Sequence, residues 1–299
     1  MSPRWFDTRA PDVDTAPMSL WEALLLGLIQ GVAEFLPVSS SGHLVLTELL
    51  LGIKPSLAFN AALHGGTLVV VVGYYRRDLW DMVRDSWTSL RGLFGGRSFS
   101  QIWSEDHGTR LVLLLGAASV PTAIIGLGLK SHIERAFHSG VLTSAALLVT
   151  GALLLSTRRS QASSEPESSP LAGPTTISLP VALLVGVAQG LAIFPGISRS
   201  GATLVAALLL GSGRTDAARF CFLLSVPAIL GALILESGAL AKLGTVGTGG
   251  LAVGIGAAMI AGYFSLWMLV GLVKRGGLHR FAYYTLPVGL AGLLYFSLR

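Results

Sequence analysis

Apolar residues fall in long, nearly unbroken blocks along this chain, without the two-residue alternation of a half-buried strand. Six blocks are long enough to cross a bilayer: roughly residues 57–75, 110–129, 140–157, 217–237, 249–273 and 281–298. Each approaches the about 20 residues that a hydrocarbon core requires of a helix. A membrane β-barrel would instead read as roughly 10-residue stretches of alternating polarity, so the pattern predicts an all-α integral membrane protein with six transmembrane helices. Two further apolar stretches, residues 20–52 and 178–211, are interrupted in the middle by proline, glycine and polar residues. Either half of each is too short to span but long enough to reach the bilayer midplane. Both therefore read as re-entrant helical hairpins, whose irregular backbone survives at that depth only where protein or a wet cavity satisfies it.

The two interrupted stretches are copies of one another. GLIQGVAEFLPVSSSGHLVLTELLLG (27–52) and GVAQGLAIFPGISRSGATLVAALLLG (186–211) align without a gap at an offset of 159, with 12 of 26 positions identical. Matching leucines are cheap between apolar helices. Gln-Gly, Phe and Ser-x-Ser-Gly in register are not, and they mark an internal duplication. Three predicted spans separate the copies, so the hairpins enter from opposite faces. That is an inverted-topology repeat, which puts a site where the broken helices converge. The expected organisation is a polar N-terminal tail (1–18), a first repeat (19–159), a Ser/Pro-rich cytoplasmic linker (160–177) and a second repeat (178–299), each repeat a hairpin followed by three spans. The tail carries acids and prolines and lacks the apolar core of a signal peptide.

Composition agrees with the pattern. Only 12% of the 299 residues are charged and 52% are apolar, where a soluble domain carries about a quarter charged. The mean hydropathy is +0.68. Thirteen Lys and Arg residues fall on one predicted side, among them Arg76, Arg77, Arg84, Arg91, Arg97 and Arg110, and seven on the other. The positive-inside rule puts the richer side in the cytoplasm and both termini outside. The single cysteine, Cys221, excludes a disulfide within the chain and reads as a small packing residue. The 37 glycines suit close helix packing, which makes a homodimer plausible. Nothing points to nucleic acid.

The candidate chemistry sits at the two hairpin tips. The first offers Gln30, Glu34, Ser39, Ser40, Ser41 and His43; the second offers Ser198, Arg199, Ser200 and Thr203. Gln30 and Glu34 share a helix face. Ionisable groups at membrane depth are costly and mark function by default. Arg199 offers a permanent, forked charge suited to phosphate oxygens, and the N–H groups opening the two short helices favour anions. Glu34 can ligate a divalent cation bridging a diphosphate, and His43 can act as acid, base or nucleophile. The set reads as a site for a lipid diphosphate, in a phosphatase or a carrier. The competing bland readings are close packing for Ser41, Gly42 and Ser200, and a structural ion pair for Glu34, His43 and Arg199. His64 reads as packing or supporting, and His107, His132, His138 and His279 as solvated. Asp216 and Arg219 read as a helix cap and an anchor; Glu236 carries no assignment.

QGVAEFLPVSSSGH and PGISRSGAT resemble the two signature motifs of the bacterial undecaprenyl-diphosphate phosphatases, the bacitracin-resistance protein family. The resemblance continues through FNAALHGGT, PTAIIGL, TGALLL and FCFLLSVPAI and covers nearly everything from residue 19 onward. It implies hydrolysis of a C55 polyprenyl diphosphate to the monophosphate and inorganic phosphate, recycling the carrier for cell-wall synthesis. It also implies a divalent cation, Mg2+ or Ca2+, and a site in the bacterial cytoplasmic membrane opening to the extracytoplasmic side. The family's E/Q-x-x-x-E pair corresponds to Gln30 and Glu34, its catalytic serine and histidine to Ser40 and His43, and its essential arginine to Arg199, flanked by Ser198 and Thr203. Gln30 stands where many members carry a second acid, which leaves Glu34 as the one carboxylate of the tip. Three mechanisms stay open: attack by Ser40 with Glu34 or His43 as base, attack by His43, and water activated by Glu34. The functional competitor is a transporter of the lipid monophosphate, since broken helices in inverted repeats also build carriers.

Overall fold

The computed structural model describes residues 18–53, 55–159, 176–235 and 247–298. Residues 1–17 of the expected tail, residues 160–175 of the expected linker, and Glu236 lie outside the described residues. Thirteen α-helices form the described part, with no strand among the described residues.

Both interrupted stretches are helix–break–helix. Helix α1 (Leu20–Phe35) opens with a capping box in which Ser19 and Glu22 satisfy each other's backbone N–H. It ends where Leu36 precedes Pro37 and turns extended. Helix α2 (Ser40–Leu51) follows after four residues and stops at Gly52, whose φ of 67° the absent side chain permits. The helices of the first half continue with α3 (Leu57–Tyr74), α4 (Arg76–Phe94), α5 (Phe99–Glu105), α6 (His107–Gly128), α7 (Lys130–Phe137) and α8 (Gly140–Ser156). The second copy gives α9 (Leu179–Leu191), with Pro180 in its first turn, and α10 (Arg199–Leu209). Helices α11 (Arg214–Leu235), α12 (Thr248–Lys274) and α13 (Ala282–Ser297) complete the chain.

Four of the six expected spans, α3, α6, α11 and α12, are long and apolar enough to cross a membrane. Helix α8 meets that standard only together with α7, from which it bends by 104°. Helix α13 has 16 residues and follows a single 3-10 turn, Leu278–Phe281. The protein is thus an all-helical, multi-pass membrane protein. The arginine-rich connection between the first two spans is helical too, as α4 and α5.

Packing between the two halves is reciprocal. Helix α1 lies along α12, the second long helix of the other half, and α9 lies along α6, its counterpart in the first. Helix α8 packs on α13, and α3 on α11. The duplicated glycines make this possible. A Cβ on Gly27 would collide with the carbonyl oxygen of Gly254, and one on Gly186 with the carbonyl oxygen of Ala118. Gly31 and Gly190 repeat the arrangement one turn on, against Ala258 and Ile125. Each pair lets a hairpin helix seat its backbone on a long helix of the opposite half.

Because the obstacle is backbone, Gly186→Val should cost about 3 kcal/mol, the upper end of ordinary overpacking penalties, and so should Gly27→Val. Thermal unfolding of the purified protein checks this against Gly116→Val, where an added Cβ meets nothing within 4 Å. Equal melting of all three would refute the assignment.

A buried ion pair also joins the halves. Arg219 of α11, expected to be an anchor, lies with its Nε 2.5 Å from Oδ1 of the buried Asp78 on α4. Asp216 accepts a hydrogen bond from the Thr176 N–H at 2.6 Å, tying the start of α11 to the segment before α9. His132 and His138 are exposed as expected. His107 and His279 are not fully solvated: each is half-buried with an Nδ1 that is enclosed. The reason is position, since His107 opens α6 beneath α4 and His279 lies in the turn packed on α8.

Candidate active site

The two breaks meet. A Cβ on Gly42 would stand 2.9 Å from Cα of Gly196, and one on Gly201 would stand 3.2 Å from Cβ of Pro37. Gly42 and Gly201 are equivalent in the duplication, and so are Pro37 and Gly196, so the contact is made twice with the roles exchanged. Ser39 Oγ accepts from the N–H of Gly42 and from that of Gly196, both at 3.2 Å, so one hydroxyl caps α2 and holds the other tip. Among the described residues Ser39 is the one non-glycine with positive φ, 72°, a conformation that persists only where neighbours enforce it. Ser198 Oγ caps α10 through the Gly201 N–H at 3.1 Å, and Ser200 Oγ donates to the Leu36 carbonyl at 3.3 Å. Thr150 of α8 clamps the second tip. Its hydroxyl donates to the Gly196 carbonyl at 2.8 Å and accepts from the Ser198 N–H at 3.0 Å.

Glu34 is the hub of this junction. It is 6% exposed, yet it is fully partnered. One carboxylate oxygen pairs with Nη2 of Arg199. The other accepts from Gln30 Nε2 at 3.0 Å and from Ser40 Oγ at 2.5 Å. His64, reaching in from α3, places Nε2 3.9 Å from that same oxygen. Its Nδ1 lies 2.9 Å from the Asn60 carbonyl, which only accepts, so Nδ1 carries the proton and Nε2 is left facing Glu34. The duplication puts Ser40 and Arg199 at equivalent positions, each the first residue of the second helix of its hairpin. Both helix N-termini therefore bring a polar side chain to Glu34.

His43 turns elsewhere. Its Nδ1 lies 2.8 Å from the Ser39 carbonyl, and its Nε2 lies 2.9 Å from the hydroxyl of Tyr284 on α13. The same tautomer argument makes Tyr284 the donor. The rings lie nearly parallel, 11° apart. Neither nitrogen is bonded to Ser40. Thr203 donates to its own helix, at the Arg199 carbonyl, and Ser41 lies 3.4 Å from Ser39 Oγ. Of the sequence candidates, then, Gln30, Glu34, Ser40 and Arg199 form one cluster. Ser39, Ser198 and Ser200 stitch the tips together, and His43 engages α13.

Two contributors received no role from the sequence. Thr150 opens TGALLL, a stretch noted only for its resemblance, and Tyr284 lies in an apolar helix far along the chain. His64 read as packing or supporting, and the structure turns it toward Glu34. Tyr284→Phe should leave folding nearly intact, since one neutral hydrogen bond contributes about 1 kcal/mol. If His43 acts through the orientation Tyr284 gives it, the double variant with His43→Ala should turn over no more slowly than His43→Ala alone. Additive losses would separate the two residues.

A small cleft beside the hub is lined by Glu34 and Arg199 together with Phe35, Ser200, Thr203, Cys221, Phe222 and Ser225. Cys221 is buried and unbonded to sulfur, as a packing residue should be. For a cation, the donors are oxygens: the Glu34 carboxylate and Gln30 Oε1, a buried atom without a hydrogen-bond partner. One carboxylate, a carbonyl oxygen and phosphate oxygens suit Mg2+ or Ca2+. Among the described residues no cluster of three His, Cys, Asp or Glu side chains could hold a metal by protein ligands alone.

The family profile described as "Bacitracin resistance protein BacA" matches residues 23–291. A protein of Korarchaeum cryptofilum named undecaprenyl-diphosphatase is 40% identical over 274 residues, 92% of this chain and 98% of its own. One of Desulfosudis oleivorans with the same name is 43% identical over 275 residues, covering 90% and 95%. Another, of Geobacter sulfurreducens, is 39% identical over 291 residues, covering 94% and 100%. The match spans both hairpins and the helices that seat them, and the chain belongs to the bacitracin resistance protein BacA family.

Proposed function

We propose that this protein hydrolyses undecaprenyl diphosphate to undecaprenyl phosphate and inorganic phosphate. The observation that carries the reading is the junction at Glu34: a serine hydroxyl 2.5 Å from one carboxylate oxygen and an arginine on the other. A nucleophile, a base within hydrogen-bond reach of its proton, and a fixed cation thus share one half-buried point. Its relatives' name supplies the substrate.

In the proposed reaction the terminal phosphoryl group displaces Glu34 from Arg199, which forks onto two phosphoryl oxygens. The hairpin N–H groups complete the anion site. Ser40 Oγ attacks phosphorus and its proton passes to Glu34, while the bond to the bridging oxygen breaks and undecaprenyl phosphate leaves. Water then opens the phosphoserine, its hydroxyl going to phosphorus and one proton to Ser40 Oγ, and Glu34 gives up the proton it had taken as inorganic phosphate leaves. His43, held by Tyr284, lies outside this transfer. A divalent cation held by Glu34 and Gln30 would neutralise charge on the diphosphate. Ser39, Ser41, Ser198, Ser200 and Thr203 shape the anion site.

The topology that fits is an inverted repeat of six spans and two re-entrant hairpins, with the tips near the midplane of the cytoplasmic membrane. The reciprocal packing of the halves supports it. The charge bias favours a site opening to the extracytoplasmic side, with both termini there, and the C55 chain entering from lipid between helices. Recycling the carrier for cell-wall synthesis would underlie bacitracin resistance, the property in the family's name. The transporter reading gains nothing from the comparisons, and a pure carrier needs no base beside a serine.

The test is phosphate release from undecaprenyl diphosphate by purified protein in detergent, with and without EDTA. Release that chelation abolishes and Mg2+ or Ca2+ restores is expected. A well-folded protein that binds the lipid without releasing phosphate would overturn the reading.

A further inference from the structure

Helix α4 carries an apolar stripe that none of the described residues covers. Trp80, Val83, Trp87, Leu90 and Phe94 follow the i, i+3, i+7, i+10, i+14 spacing of one helix face, and each is between 47 and 88% exposed. The opposite face is the packed one: Met82 and Ser89 are buried, Asp85 accepts from the Gly108 N–H at 3.2 Å, and Ser89 bonds Asp106 and Thr109 at the start of α6. Two tryptophans and a phenylalanine in one exposed row would be costly against water.

The charges alongside the stripe are chiefly positive. Arg76, Arg77, Arg84 and Arg91 are all exposed, and the Arg91 guanidinium lies over the Trp87 ring, 4.8 Å from its centroid. Of the three acids on the helix, Asp78 is buried against Arg219, while Asp85 accepts from both the Gly108 N–H and the Arg84 guanidinium, which Asp81 also approaches. Arg84 is thus neutralised along the helix, and no ion pair among the described residues engages Arg76, Arg77 or Arg91. The helix starts one residue after α3, which is long and apolar enough to cross a membrane, and packs against α6, which is too. An apolar row with tryptophans, a basic margin and attachment to two such helices fit the boundary between acyl chains and headgroups.

We infer that α4 is an interfacial helix that docks on anionic lipid headgroups, with Trp80, Val83, Trp87, Leu90 and Phe94 in the acyl layer and Arg77 and Arg91 at the phosphates. This goes beyond the phosphatase reading and does not depend on it.

The experiment places a nitroxide label at Val83→Cys and, separately, at Thr88→Cys, which is exposed on the margin away from the row. Cys221 is buried and serves as the unlabelled background. The full chain is reconstituted in bilayers of phosphatidylcholine with increasing phosphatidylglycerol. The Val83 label should be reached by oxygen and shielded from a water-soluble nickel chelate, the Thr88 label the reverse. Shielding at Val83 should deepen as the anionic fraction rises. Arg77→Gln and Arg91→Gln should each lower the ratio of shielded to open label at a given anionic fraction by about fivefold. A Val83 label open to the chelate in every bilayer would overturn the proposal, and so would shielding indifferent to lipid charge and to both arginines. Spin–spin broadening between Val83 labels on two copies would overturn it in favour of a dimer interface. Phosphate release by Arg77→Gln, measured in parallel, is expected to persist in detergent, so a failed phosphatase assay and a failed lipid assay are read separately.

Discussion

Replacing Arg199 by lysine should lower phosphate release by about 10³-fold or more while leaving the protein folded. Arginine residues that neutralise a transferring phosphoryl group are commonly worth 10³–10⁵ in rate. Lysine preserves the charge but not the planar fork that takes two oxygens at once. The choice of lysine over alanine matters here because Glu34 is buried and paired with Arg199. Deleting the arginine outright leaves a buried carboxylate uncompensated, which costs about 3–5 kcal/mol in such pairs. The figure belongs at its lower end, since the Arg199 side chain keeps 23% of its exposure. An inactive alanine variant would therefore confuse a lost phosphate ligand with a damaged hairpin junction. Melting temperature and turnover measured together on Arg199→Lys separate the two. A lysine variant with native turnover would mean that the fork contacts no phosphate, and Arg199 would revert to a structural partner of Glu34.

That junction was legible in the sequence to an unusual degree, because a duplication carries geometric information. Twelve identities at a fixed offset said that two breaks exist and that they share a conformation. The inverted count of spans said that they should face each other. What divergence between the copies then did is visible only in three dimensions. At equivalent positions the first copy has Ser40 and Glu34 where the second has Arg199 and Ile193, so the symmetric scaffold holds an asymmetric site. The duplicated glycines were recorded as identities, but their purpose, seating α1 on α12 and α9 on α6, needed the neighbouring carbonyls. His43 was read with Glu34 and Arg199 because it closes the same motif. One turn of α2 carries it past the junction to Tyr284 instead. Arg219 reads as an anchor and Asp78 carries no sequence signal at all, and sequence distance hides that they meet. Helix α4 is hidden by its arginines, which in the sequence register only as the positive charge between the first two spans.

Ser40→Ala should reduce phosphate release by about 10⁴-fold or more with little loss of stability. Knocking out a catalytic serine in a nucleophile–base unit costs at least that much, and adding further lesions to the same unit costs little more. Folding is spared because Ser40 donates to Glu34, and the same carboxylate oxygen keeps Gln30 as a donor. The double variant Ser40→Ala, Glu34→Gln should accordingly be no slower than Ser40→Ala. The three mechanisms left open by the sequence separate on this series. If Glu34 activates water and Ser40 only binds, Ser40→Ala should keep a tenth or more of the rate while Glu34→Gln does not. If His43 were the nucleophile, His43→Ala would be the deepest lesion, and it would have to break its hydrogen bonds to Ser39 and Tyr284 to reach phosphorus. The structure favours Ser40 because its oxygen is the one already bonded to a base. Rapid-quench capture of a phosphoseryl intermediate from wild type, absent in Ser40→Ala, is the expected result. Repeated failure to capture it, with Ser40→Ala still turning over, would move the nucleophile to water.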